Sequence, residues 1–136
     1  MDQALKIAQD ITSVGQTVSS SGRFLVHDRV GIALQQAGLT EQRQIYAALG
    51  DTAKTQEIDT KLQVIQERSA TIDAMTQSFG SVMAKMTEAD LAAYVDGTIL
   101  NGEFATLQGI PEIAQALQQA QASPPKGTPQ TTPPKK

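Results

Sequence analysis

The chain has 136 residues, with no cysteine, no tryptophan, three Phe and two Tyr. That excludes a disulfide framework and a thiolate metal site, and it leaves a core of Ile, Leu, Val, Ala and Met, a mixture better suited to helices than to strands. The net charge of −3 divides unevenly: all fourteen Asp and Glu precede residue 123, whereas Lys126, Lys135 and Lys136 follow it. The acidic body weighs against broad phosphate binding.

A first helix is expected from residue 2 to about 19, with Ala4, Ile7, Ile11, Val14 and Val18 recurring at spacings of three and four as its inward face. Asp2 suits its N-terminus, and the Ser19-Ser20-Ser21-Gly22 cluster ends it. A second helix is expected over Arg23–Ala37, burying Val26, Val30, Ala33, Leu34 and Ala37. Gly38 reads as its C-terminal glycine. Thr40 then caps a short helix through Leu49, with Ile45, Ala48 and Leu49 inward.

The run Lys54–Met86 contains no proline and dominates the chain. Ile58, Leu62, Ile65, Ser69, Ile72, Thr76, Phe79, Met83 and Met86 follow one another at spacings of four and three, the rhythm of a narrow helix–helix seam. Gln63, Gln66 and Asp73 fall off that seam. As one helix the run would be about 50 Å long at 1.5 Å per residue. Gly80 is its weak point, where a kink or break is expected.

Thr87-Glu88-Ala89-Asp90 reads as an N-cap with two acids in the first turn. Asp90 is a short substitute for the Glu or Gln of a capping box, and Met86 with Leu91 fits the hydrophobic staple. A helix over 88–100 follows, packing through Leu91, Tyr94, Val95 and Ile99. Asn101-Gly102 ends it, and a short segment carries Phe104, Leu107 and Ile110. Pro111 opens a last helix with Ile113, Ala116, Leu117 and Ala120 on its apolar side. The expected fold is therefore all-α: a helical bundle of five or six helices around one long central helix, in a single domain over 1–122. Residues 123–136, five of them proline, read as a disordered Pro/Lys-rich tail. Truncation after Ala122 is expected to leave the melting temperature unchanged; a drop of several degrees in a thermal melt would show that the tail docks.

Motifs for chemistry are sparse. His27 beside Asp28 has the composition of a general base and its orienting carboxylate, but neighbours i and i+1 on a helix do not face each other. One His and no Cys leave no zinc set. Asp96-Gly97 with Glu103 lacks the Asp-x-Asp-x-Asp-Gly order of a calcium loop. No catalytic, cofactor-binding or metal residue is assigned, and an enzyme is not expected. A methionine-rich cluster offers the candidate interaction site: Met75, Phe79, Met83 and Met86, adaptable side chains at helical spacing.

These features point to a non-catalytic structural or assembly protein. It would be a subunit, adaptor or small chaperone of a larger complex such as a virion or secretion machine, with protein as its partner, either a second copy or another helix. A second reading is a helix-turn-helix regulator over residues 26–50, with Gln42, Arg43 and Gln44 as base-edge readers; Leu34 before the turn and the acidic body weigh against it. A third is an exported or membrane-active helical protein using Val14–Val18 and Phe24–Val26, although no basic amphipathic helix is present. The N-terminus lacks the basic start and apolar block of a signal peptide, and no window is apolar enough to span a membrane. The expected location is cytoplasmic or particle-associated.

Overall fold

The computed structural model describes residues 1–122, which form six helices: α1 (Asp2–Ser21), α2 (Leu25–Ala48), α3 (Thr52–Met83), α4 (Glu88–Asn101), α5 (Glu103–Gln108) and α6 (Pro111–Ala122). The tail at 123–136 lies outside the described residues. No helix among them is long and apolar enough to cross a membrane. The all-α bundle expected from the aliphatic composition is the fold observed.

The long helix organises the molecule, with α2 and α6 packed along it and α5 touching it. Its contact with α2 is written in heptads. Leu25, Ile32 and Leu39 on α2 and Ile58, Ile65 and Ile72 on α3 are all buried, each set seven residues apart. Tyr46 and Phe79 extend the two lines as partly buried neighbours. A seven-residue repeat keeps one side of each helix turned toward the other along its length. Met75, Leu107, Ile113 and Leu117 continue this core toward α5 and α6. Gln63, Gln66 and Asp73 are exposed, as the seam requires, whereas Ser69 is half-buried and Thr76 exposed within it.

Three interhelical ion pairs fix the α2–α3 register. Arg43 meets Asp59 through both Nε and Nη2, Arg29 Nη2 donates to Asp73 Oδ1 at 2.8 Å, and Arg68 Nη2 donates to Asp28 Oδ1 at 2.7 Å. The first two pairs are solvent-exposed and contribute little stability. Asp28 is buried, so losing Arg68 would leave a charge out of water without its partner. Arg68 also lies 5.0 Å from the centre of the Phe104 ring, tying the pair to α5.

Several boundaries differ from those expected. Residues 25–48 form one helix, so the turn at Gly38-Leu39-Thr40 is absent. Gly38 remains helical because α1 crosses α2 there: a Cβ on Gly38 would lie 2.3 Å from Thr12 Oγ1 and 2.6 Å from the carbonyl oxygen of Ala8. The glycine serves the close crossing, not a stop. The stop comes at Gly50, whose φ of 72° is open to glycine without strain. Asp51 then caps α3, its Oδ1 accepting from the Lys54 amide at 2.9 Å. The long helix runs through Gly80 without a break and ends at Met83, short of Met86. The capping box at Thr87 is present: Thr87 Oγ1 accepts from the Asp90 amide at 3.2 Å, and Asp90 Oδ2 accepts from the Thr87 amide at 2.9 Å. These Thr87 bonds also hold the Asp90 carboxyl below its usual range.

The inward faces of α1 and α2 also need correction. The buried line of α1 is Ala8, Thr12 and Gly15, while Ile7 and Val14 are exposed and Ile11 and Val18 half-buried. On α2, Val26, Val30, Ala33 and Ala37 face solvent, and Leu34 is half-buried. The two helices meet through small and polar residues instead. Gln42 Nε2 donates to Thr12 Oγ1 at 2.8 Å, Gln35 Nε2 donates to Ser19 Oγ at 3.3 Å, and Gly15 and Gly31 abut backbone to backbone. On α4 only Tyr94 of the expected packing residues turns inward; Leu91, Val95 and Ile99 are exposed.

Candidate interaction surfaces

The methionine-rich cluster straddles the end of α3. Met75 has no exposed surface and fills the core between α3 and its neighbours. Phe79 is half-buried, its ring 5.1 Å from that of Tyr94 on α4. Met83 is exposed at the last turn of α3, and Met86 is half-buried in the α3–α4 connection. Met83 is thus the one of the four that is exposed, with Phe79 and Met86 half-buried and Met75 in the core. Beside them runs an open groove of about 540 Å³, lined by Val82, Met86, Tyr94 and Ile110 with the carboxylates of Asp90 and Glu112 at its margin.

One residue that sequence reading treated as a fragment of a calcium loop holds this end of the molecule together. Glu103 opens α5 after Gly102, whose φ of 86° lets the chain turn sharply out of α4. The Glu103 amide donates to the Arg23 carbonyl at 2.6 Å. Its Oε2 accepts from the Leu25 amide at 2.7 Å, and its Oε1 accepts from Tyr94 Oη at 2.6 Å. The Arg23 guanidinium in turn bonds the carbonyl of Ile99. One glutamate therefore supplies a partner for an unpaired amide at the start of α2, orients Tyr94, and clamps the α4–α5 turn to the α1–α2 turn. No local signal announces this, because the bond to Leu25 spans 78 positions.

Burial, and then the hydrogen bond and charge of Glu103, push the Tyr94 hydroxyl up to about 12. A raised folded-state pKa contributes stability that is complete below the unfolded value of about 10 and is lost as pH rises through about 12. The wild-type protein should therefore lose stability across pH 10–12 more steeply than Tyr94→Phe, in urea melts at stepped pH. A steeper loss in Tyr94→Phe would contradict the bond. Glu103→Ala should cost about 1–3 kcal/mol, since it leaves the Leu25 amide and Tyr94 Oη without their acceptor.

The candidate chemistry resolves into structural roles. His27 Nδ1 accepts from the Phe24 amide at 3.4 Å at the start of α2, while Asp28 turns to Arg68 on α3. The two side chains do not form a dyad. Asp96 and Gly97 lie inside α4. Among the described residues no three His, Cys, Asp or Glu side chains are gathered. Of the residues considered as base readers, Gln42 is buried against Thr12 and Arg43 is paired with Asp59, leaving Gln44 exposed. Compared with protein-family models, with curated proteins and with solved structures, the chain returns no match.

Proposed function

We propose that this chain is a non-catalytic assembly protein, a subunit, adaptor or small chaperone that acts by packing its helices against other protein. The observation that supports this reading is the placement of its exposed apolar side chains. They fall in lines along well-formed helices: Ile7 and Val14 on α1, Val26 and Val30 on α2, and Leu91, Val95 and Ile99 on α4. Singly scattered apolar residues are ordinary on a protein surface, but contiguous apolar strips mark interaction sites. The Met83 and Met86 side chains at the end of α3 add adaptable contacts of the same kind.

The reading is tested by the mass of the particle this chain forms, alone and when isolated from its source. A particle heavier than one chain in either state, held by protein contacts, supports it. A strict monomer at about 100 μM, with no protein partner in the isolated material, removes it.

A further inference from the structure

We propose that two copies of this chain join through the face of the α1–α2 hairpin turned away from α3, giving a two-fold dimer with a four-helix junction. The proposal rests on the assembly reading and specifies its interface. Its geometry follows from the cleft on the other side of the hairpin, which Gln9, Ser13 and Gln16 of α1 and Gln35 of α2 line together with Val64 of α3. At 3.6 residues per turn, Ile7, Ile11, Val14 and Val18 lie on the opposite side of α1 from Gln9, Ser13 and Gln16. On α2, Val30, Leu34 and Ala37 lie beyond Gly31 and Gly38, again away from α3. The two apolar lines therefore run side by side on one surface.

That surface is open and nearly free of charge. Ile7 and Val14 are each 53% exposed, Val26 59% and Val30 48%, and Ile11, Val18 and Leu34 are half-buried between the helices. Glu41 is the one Asp, Glu, Lys or Arg whose helical position falls within it. The glycine crossing brings the two helix backbones close together, so the lines merge into one strip instead of flanking a polar ridge.

The occupant follows from width, area and charge. A single foreign helix, about 10 Å across, would cover one groove and leave half the strip wet. A second hairpin covers both lines. The strip is roughly 25 Å by 20 Å, or about 500 Å² on each copy and about 1,000 Å² in all, at the threshold of a specific interface. A two-fold axis lets one patch serve both partners. With Glu41 as its one charge, the strip carries little electrostatic code for choosing a different partner.

Sedimentation equilibrium of the full chain over about 1–100 μM should show conversion from monomer to dimer with a micromolar Kd. Val14→Glu with Val30→Glu should weaken association at least about 100-fold with helical content and melting temperature kept, because both side chains face solvent in the monomer. Val14→Ser with Val30→Ser provides a milder pair should the charged variant lose helix. Leu91→Glu with Val95→Glu on α4 should leave the dimer intact. The proposal is overturned by a monomer across that range, by a dimer that the α4 variant dissolves and the hairpin variants do not, or by a monomer that binds neutral phosphatidylcholine vesicles through the same strip. A monomer alone that is nonetheless recovered in a larger protein particle would overturn this dimer while leaving the assembly reading in place.

Discussion

Gly31→Ala should destabilise the protein, although alanine is the better helix former by about 1 kcal/mol. A Cβ on Gly31 would lie 2.6 Å from the Gly15 carbonyl oxygen and 2.8 Å from the Ser19 amide nitrogen, both backbone atoms of α1. Neither can rotate aside, so the two helices must separate and lose their contacts along the whole crossing. Overpacking of this kind costs about 1–3 kcal/mol, occasionally more. Gly38→Ala should behave in the same way, against the Ala8 carbonyl and the Thr12 amide. The Ser19 hydroxyl is also close to Gly31, at 2.1 Å from the added Cβ. Combining Gly31→Ala with Ser19→Ala should nevertheless recover little, because the backbone atoms remain. Gly80→Ala is the control. A Cβ there meets nothing within 4 Å, so the change should stabilise α3 by up to about 1 kcal/mol. Urea unfolding of the single variants reads both signs; stabilisation by Gly31→Ala and Gly38→Ala would show that the helices do not cross as described.

Ile72→Ala should cost about 2–5 kcal/mol, and Ile65→Ala a similar amount. Ile72 is 1% exposed and sits where the α2 line, the α3 line and Met75 converge. Truncation there removes transfer energy and leaves a cavity between elements pinned on both sides by the Arg29–Asp73 and Arg68–Asp28 pairs. Val64, on the adjoining turn of the same helix, is 60% exposed, and Val64→Ala should stay within about 0.5 kcal/mol. The contrast separates a heptad seam from general helix loss. If Ile65→Ala and Ile72→Ala each cost under about half a kcal/mol with the fold intact, the seam assignment fails.

The repeating part of the fold was legible because its physics is local or periodic. The long helix follows from an unbroken run at 3.5-residue spacing, and its buried line, Ile58, Ile65 and Ile72, is the one the period selects. The cap at Thr87 follows from a bond that reaches only three residues. The all-α class follows from a core with few aromatic side chains and no strand-like alternation. The candidate cluster was legible only in part: the period places Met75, Phe79 and Met83 on α3, but the helix ends before Met86, and depth was not readable, since Met75 lies in the core while Met83 is exposed.

Periodicity identifies an apolar side of a helix; it does not say what that side faces. Where α1 meets α2 the inference from apolar to buried reverses, although α2 still buries Leu25, Ile32 and Leu39 against α3. Ala8, Thr12 and Gly15 meet Gly31, Gly38 and Gln42, because small side chains let two backbones approach and two glutamines fill the gaps with hydrogen bonds. The apolar lines are left outside. The same choice explains why Gly38, a helix stop by local chemistry, stays inside α2, and why no helix-turn-helix forms over 26–50. Glu103 is the other case: its partners, Leu25 and Tyr94, come from two different helices, and one of them is 78 positions away. The sequence by itself determined the all-α class, the long helix and the Thr87 cap, since those depend on interactions within a turn or on a short period, but not the continuity of α2 or the helical state of α5. The tertiary structure decided which face of each helix is inside, because that depends on how closely two backbones can approach, and a glycine on one helix acquires that meaning only when another helix lies against it.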